Sequence, residues 1–341
     1  MDFSNHNWAQ PNAALANTLV SCNLDALIES FSYLYDFAGF DGAALQNELN
    51  TKKLSVRQNM PQTFLYHEYL VRKIEQEDIH PEAIFNGYLS ELTPTQRTQI
   101  EVVQFGLRYH EYTNQLLKAL IADDHLECYG KHLVERNEGI TAPTEQAFDF
   151  TAREIETCLD YLKQSCPALY DEIQAVVSQI HVMNSPHVNA GSYLTMLGMF
   201  NIRYLKEETE HWSRLMEHII HEAAHNLLYQ LWHQAQIITD DDGLFYTPFR
   251  KDERPISGVY HAMFVLARTI YGFNLLLDNP KIALDPKDIC SHYNEANNHL
   301  PFTDKFHQTV AVLEKSGKLT GFGDKIMKDC VALVKGCHHY I

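Results

Sequence analysis

The chain has 341 residues, of which 45% are hydrophobic, and its 44 acidic and 27 basic residues give a formal net charge of −17 at pH 7. This composition is typical of a globular protein with a large core, and the length favours about two domains. An acidic chain without a basic run suits neither nucleic acid nor an anionic membrane surface, so we expect neither as a partner. The seven cysteines form no CxxC pair, and the sequence has no signal-peptide pattern and no long apolar run, which predicts a cytoplasmic protein.

The first 140 residues predict a helical region of unknown role. Apolar residues recur at helical spacing in the ranges 63–76 and 93–122, and the second range opens with a threonine that can cap a helix. The sequence NEGITAP at 137–143 is the clearest break in this half of the chain. We therefore predict a helical N-terminal region at 1–140 and a second domain at 141–341.

The second domain predicts helices around a small β element. Thr144 can cap a helix, and a further helical run follows at 167–178. The range 180–204 contains short β-prone pieces around a turn rich in Asn, Pro and Gly, which predicts two or three strands joined by a hairpin. Later helices are expected at Ile256–Leu277, Pro286–Asn297 with Asp285 as its cap, and Thr303–Lys335. His338 and His339 would then lie in a frayed tail.

The range 216–232, MEHIIHEAAHNLLYQLW, predicts a helix that is packed on more than one side. His221 and His225 are four residues apart, so a helix places them on one face, where they can share one metal ion. Glu222 follows the first histidine and completes an HExxH motif. His218, one turn earlier, is expected to support a ligand or to lie at the surface.

A third metal ligand has more than one candidate. His261 lies inside the helix predicted at 256–277, and a nearby metal site that still lacks a ligand favours its binding to the ion. A core histidine bonded to a backbone carbonyl is the alternative interpretation. Metzincin patterns fit less well, because the positions where they require glycine and histidine are Leu228 and Leu231. An aspartate from the run at 240–242 also stays open.

Two arginines share the helical phase of His261. Arg254 lies seven residues before it and Arg268 seven residues after it. A buried arginine must be paired, and its planar fork suits a carboxylate. That carboxylate can be an acid of the protein, or it can belong to a dicarboxylate cosubstrate at the metal. The sequence leaves both roles open.

Three blocks of sequence resemble the HExxH-type 2-oxoglutarate-dependent peptide β-hydroxylases that modify ribosomally made peptides. They are HVNAGSYLTMLGMFNIR, HEAAHNLLYQL and YTPFRKDERPISGVYHAMFVLAR, and together with the intervals between them they cover about 100 residues. The range 1–140 matches no family in this way. The resemblance implies iron(II), 2-oxoglutarate and dioxygen, and hydroxylation of a side-chain β-carbon in a peptide, such as a precursor peptide.

The resemblance also implies roles for individual residues. The iron ligands would be His221, His225 and His261. The carboxylates of 2-oxoglutarate would bind among Arg250, Arg254 and Arg268. Glu222 would orient a ligand or a metal-bound group rather than act as a base on water.

A three-histidine site departs from the two histidines and one carboxylate of common oxygenases. If a carboxylate is required, it must come from Asp252 or Glu222. The alternative enzyme is a zinc metallopeptidase with Glu222 as general base, and a peptide-binding scaffold with a structural metal is a third possibility. We expect a mainly α fold, with a helical N-terminal region and a helical metal-binding catalytic domain at 141–341 that has a small β element beside the HExxH helix.

Overall fold

The computed structural model describes residues 5–75, 86–90, 92, 99–107, 114, 140–186, 188–247, 252–290 and 300–341. It is mainly helical, at 63%, with a small sheet of a few strands, which confirms the fold class expected from the sequence. Within the described ranges, no helix combines the length and the apolar character that crossing a membrane requires.

The helices and strands follow one another with loops between most of them. In chain order they are α1 Ala13–Phe37, α2 Gly42–Thr51, α3 Lys53–Gln58, α4 Met60–Glu75, β1 Glu101–Gln104, α5 Glu145–Ser165, α6 Pro167–Val176, β2 Gln179–Met183, β3 Ala190–Ser192, β4 Met199–Arg203, α7 Ser213–Trp232, β5 Phe245–Thr247, β6 Asp252–Arg254, α8 Ile256–Leu277, α9 Pro286–Cys290, α10 Phe302–Ser316 and α11 Gly321–Lys335.

The chain divides into two compact units that interleave along the sequence. The sheet unit comprises Asn17–Ala152 and Gln174–Tyr204. The helical unit comprises Met1–Ala16, Arg153–Ile173 and Leu205–Ile341, and it contains the HExxH helix. The domain boundary predicted near residue 140 stays a prediction.

The sheet has the strand order β1-β2-β4-β3. Strand β2 is parallel to both β1 and β4, whereas β3 is antiparallel to β4. The two central strands, QIHVM and MFNIR, are buried at every position, as expected for parallel strands that are covered on both faces. The strands predicted in the range 180–204 are therefore confirmed. The hairpin around the turn rich in Asn, Pro and Gly is not, because β2 and β3 on either side of that turn do not pair, and the antiparallel pair is β3 with β4.

Strand β1 corrects the helix predicted over the range 93–122 at residues 101–104; the ranges 93–98, 108–113 and 115–122 lie outside the described residues. Glu101–Gln104 pairs with β2, with Val102 opposite Ile180 and Val103 opposite His181. The β-branched valines fit a pleated strand, and the strand is stabilised by a partner far away in the sequence. Helical spacing is a local signal, so it could not reveal this pairing.

Helix α8 is the core of the helical unit. It packs against α7, α10 and α11, and its predicted bounds, Ile256–Leu277, are confirmed. Gly272 allows its close approach to α7, because a Cβ at this position would lie 2.7 Å from Ile220. The first turn is capped by Asp241, whose Oδ1 accepts the backbone N–H of Ser257 at 2.8 Å and whose Oδ2 accepts the hydroxyl at 2.6 Å.

The predicted C-terminal helix at 303–335 is two helices in the structure. Helix α10 ends at Ser316 and is followed by Gly317, whose φ of +63° is the left-handed conformation that glycine adopts readily. The prediction of a frayed C-terminal tail is also wrong, because Ile341 is buried and its carbonyl accepts the backbone N–H of Thr303 at 2.8 Å. Helix α9 begins at Pro286, as predicted, and Asp285 accepts the N–H of Lys287 at 2.9 Å. The rest of the helix predicted up to Asn297 lies outside the described residues.

Candidate metal centre

Helix α7 brings the two histidines of the HExxH motif together. His221 is buried and His225 is half-buried. Their Nε2 atoms are 3.2 Å apart. With metal–nitrogen bonds of about 2.1 Å, two ligands lie about 3.0 Å apart at a right angle and about 3.4 Å apart at the tetrahedral angle. The observed separation falls between these values, so both nitrogens can bind one ion.

His261, on helix α8, contacts His225 on the side away from His221. Its Nδ1 lies 2.8 Å from the Nδ1 of His225, and the two rings are nearly parallel at 27°. His225 thus meets His221 through one ring nitrogen and His261 through the other. Within the described part of the chain, the three rings do not present one nitrogen each within 4.8 Å of one another. The structure brings the three histidines together in a row, and shared ligation by His261 stays a prediction.

Aromatic side chains from α7 surround His261. The Trp232 ring stacks on it at 5.1 Å and 13°, and the Tyr229 ring centroid lies 4.7 Å away. Burial among these groups lowers the pKa of His261 to about 3. The imidazole is therefore neutral at physiological pH and keeps a nitrogen lone pair, which is the form that binds metal ions.

Glu217 is the main residue that the sequence interpretation missed. It is buried on α7, where its Oε1 lies 3.6 Å from Nδ1 of His221 and its Oε2 lies 3.0 Å from Nδ1 of His218. A carboxylate beside Nδ1 favours a proton there, so that Nε2 keeps the lone pair. Nε2 is the His221 atom that faces His225. The available signal was an acid four residues before the first histidine, on the same face of the helix.

His218 is buried beside this carboxylate, which agrees with a supporting role. Glu222 is buried on the same helix, and its backbone carbonyl accepts the side-chain amide of Asn226 at 3.0 Å. One residue along a helix corresponds to a rotation of about 100°, so Glu222 points to a different side of α7 from His221. Its catalytic role stays a prediction.

Arg268 is held by groups of the protein. It is buried on α8 and forms an ion pair with Glu172 of α6, which is buried as well. Its Nη1 also donates to the carbonyl of Ala9 at 2.7 Å, and Glu172 accepts the backbone N–H of Asn12 at 2.8 Å. Burial lowers the pKa of Arg268 to about 10, so the guanidinium is still charged at pH 7.

This pairing corrects the expectation that Arg268 binds a cosubstrate carboxylate. Its fork already contacts a carboxylate and a carbonyl, which is the structural role that the sequence left open. Arg254 is buried at the end of β6, and its aliphatic stem lies against Gly258 in the first turn of α8. Arg250 and the side chain of Asp252 lie outside the described residues.

The acidic run at 240–242 is used elsewhere in the fold. Asp240 pairs with Lys318, which lowers the pKa of the carboxyl group, and Asp241 caps α8. These contacts explain both residues without a metal. The histidines on α7 and α8 are thus the better donor set.

The chain matches no protein-family model and no curated protein. The chemistry of the site must therefore be judged from its donors. Two imidazole nitrogens stand at metal-ligand separation, a third neutral imidazole touches one of them, and a buried carboxylate faces the back of the first. Neutral imidazoles suit zinc and iron equally well, so these donors are compatible with a transition-metal ion, and both the metal and the reaction have to be tested.

Proposed function

We propose that the chain is a cytoplasmic iron(II)- and 2-oxoglutarate-dependent oxygenase that hydroxylates a side-chain β-carbon in a peptide, such as the precursor of a modified natural product. The carrying observation is the 3.2 Å separation between the Nε2 atoms of His221 and His225, next to the neutral His261. Three neutral ligands leave the charge of a divalent ion uncompensated, which favours an anionic chelating cosubstrate. The sequence resemblance points to the same chemistry.

The roles of the residues follow from their contacts. His221 and His225 would hold the ion, with His261 as the third ligand. The carboxylate of Glu217, 3.6 Å from Nδ1 of His221, would favour a proton on that atom, and the rings of Trp232 and Tyr229 pack against His261. Iron(II) with 2-oxoglutarate and dioxygen supplies the oxidising power for hydroxylation when these groups are bound.

The charge of the cosubstrate requires a cation at the site. Since Arg268 pairs with Glu172, we assign this role to Arg254, which is buried at the entry to α8, or to Arg250. The described cysteines are free thiols, in line with a reducing compartment, and are Cys22, Cys158, Cys166, Cys330 and Cys337.

One observation favours the second candidate, a zinc metallopeptidase with Glu222 as general base. Arg268 pairs with Glu172, so only Arg250 and Arg254 are left as candidates to bind a cosubstrate carboxylate. A peptidase has less need of a buried cation beside its metal, and it requires a carboxylate next to the HExxH pair.

The test compares the two reactions in the same full-length chain. The metal-free protein is loaded anaerobically with iron(II), and 2-oxoglutarate is added. We expect a visible charge-transfer band when iron(II) chelates 2-oxoglutarate, and succinate formation after dioxygen is admitted.

Replacement of Arg254 by Met should raise the 2-oxoglutarate requirement sharply at unchanged iron content, whereas the matched Arg268→Met change should not. Cleavage of unstructured peptides by the zinc-loaded chain, without any 2-oxoglutarate binding to the iron form, would select the peptidase.

A further inference from the structure

A second group of metal-ligand side chains lies at the other end of α8. We name Asp278, His338 and His339 the tail cluster. Oδ1 of Asp278 is 2.9 Å from Nε2 of His338 and 2.8 Å from Nε2 of His339. Of the residues that the structure describes, only these three present one ligand atom each within 4.8 Å of one another. The group is partly exposed to solvent.

The backbone around the tail cluster is fixed by hydrogen bonds. Asn274, one turn before Asp278, accepts the backbone N–H groups of His338 at 2.9 Å and His339 at 2.8 Å through its Oδ1. Its Nδ2 donates to the carbonyl of His339 at 3.3 Å. Beyond the histidines, Ile341 is buried and bonded to Thr303. The two imidazoles therefore belong to a segment that is held on both sides.

The three ligand atoms have a separation that suits an ion. Ligands at a right angle around an ion with bonds of about 2.1 Å lie about 3.0 Å apart, close to the two distances from Asp278. Two imidazole nitrogens and one carboxylate oxygen suit zinc, nickel and cobalt better than magnesium or calcium, which prefer oxygen alone. Two N–H groups that donate to one carboxylate oxygen would give similar distances, so the experiment has to separate the two arrangements.

We propose that Asp278, His338 and His339 bind a divalent transition-metal ion of the zinc class, which ties the C-terminal segment to the end of α8. The ion has three protein ligands on one side and water on the other, because the cluster is open to solvent. The site is separate from the HExxH centre and does not depend on the proposed function. Its role is to fix the segment that carries Ile341 into the helical unit.

Zinc binding to the full-length chain provides the test. The protein is stripped with a chelator and dialysed against buffered zinc, and the bound metal is counted. We expect His338→Ala to lose one zinc ion per chain and His225→Ala to keep that ion. An exposed histidine outside both groups, His307, serves as the matched control, and its replacement by Ala should leave the zinc content unchanged. The affinity of the tail cluster should fall by about tenfold or more in His338→Ala.

Thermal unfolding gives the second readout. Zinc should raise the melting temperature of the wild type and of His225→Ala, and the rise in each should become smaller when His338→Ala is added. The side chain of His338 is 66% exposed, so this variant should fold, and Asp278→Asn provides a second one. If His338→Ala and Asp278→Asn both retain the zinc content and the zinc affinity of the wild type, the tail cluster is only a hydrogen-bonded clamp and the proposal is overturned.

Discussion

The two ends of α8 carry the same kinds of side chain in opposite surroundings. At the first end, His261 lies among aromatic rings beside His225, and a buried carboxylate, Glu217, lies behind His221. At the second end, the carboxylate of Asp278 meets two partly exposed imidazoles directly. Burial lowers the pKa of His261 and makes the polar atoms of the first group costly to disturb. The second group can exchange its partners for water, so changes there should have small effects.

Between the two ends, Arg268 anchors α8 to another part of the helical unit. Its pair with Glu172 and its bond to the carbonyl of Ala9 join α8 to α6 and to the segment before α1. A helix that is fixed at its middle keeps both ends in place. We therefore expect stability to depend on the middle and metal binding to depend on the ends.

The largest effect is expected at the buried end. His225→Ala removes the residue that contacts both other histidines, so the ion of the HExxH centre should be lost. Turnover should fall by at least about 100-fold, since even the loss of a group that supports a ligand can cost that much. Metal content by elemental analysis and succinate formation check this result. If the variant and the His307→Ala control have equal metal content and equal activity, the HExxH histidines do not bind the catalytic metal.

The next effect is expected in the middle of α8 and concerns the free energy of unfolding. Arg268→Met leaves the buried carboxyl group of Glu172 without its main partner, and breaking one side of a buried pair costs about 3–5 kcal/mol. Urea unfolding should show this loss, and the double change with Glu172→Gln should be less destabilised than the sum of the single changes. If Arg268→Met is as stable as the wild type and needs more 2-oxoglutarate for turnover, Arg268 binds the cosubstrate and its pair with Glu172 is not its main role.

A smaller effect is expected behind His221. Glu217→Gln keeps the size of the side chain but removes the negative charge beside Nδ1, so His221 should lose part of its preference for the metal-binding tautomer. The metal affinity should fall by roughly 10- to 100-fold, while the fold is kept. Competition with a chelator of known affinity measures the change. If Glu217→Gln binds the metal as tightly as the wild type, the contact to His221 is structural.

The same contrast explains which features could be predicted from the sequence. The placement of His221 and His225 on one face of a helix and the bounds of α8 depend on spacing along one helix, which is a local signal, and both predictions are confirmed. The partner of Arg268 comes from α6, a different part of the chain, so no local pattern identifies it. Strand β1 was missed for the same reason, because its partner β2 is distant in the sequence.

The tail shows a further limit. His338 and His339 follow the last helix, and such positions usually fray. Their attachment depends on Asn274 and Asp278, which the sequence places at the end of another helix. Glu217 differs from these examples. It lies four residues before His221 on the same helix, so its contact was available from spacing alone.

The smallest effect is expected at the exposed end. Hydrogen bonding from His339 and the charge of His338 lower the pKa of Asp278. A carboxyl group with a lowered pKa in the folded state stabilises the fold above its unfolded pKa, and this contribution disappears as the pH falls through the folded value. Asp278→Asn should therefore cost less than about 1 kcal/mol at pH 7 in chelator, as is usual for exposed pairs. The difference from wild type should begin to shrink below about pH 4, the ordinary pKa of an aspartate, and should vanish only below the lowered pKa of the folded state. Urea unfolding at several pH values measures this difference in the free energy of unfolding.

Adding zinc at pH 7 should increase the difference in unfolding free energy between wild type and Asp278→Asn, because only the wild type gains a bound ion. An unchanged difference would mean that the tail cluster holds the segment through hydrogen bonds alone.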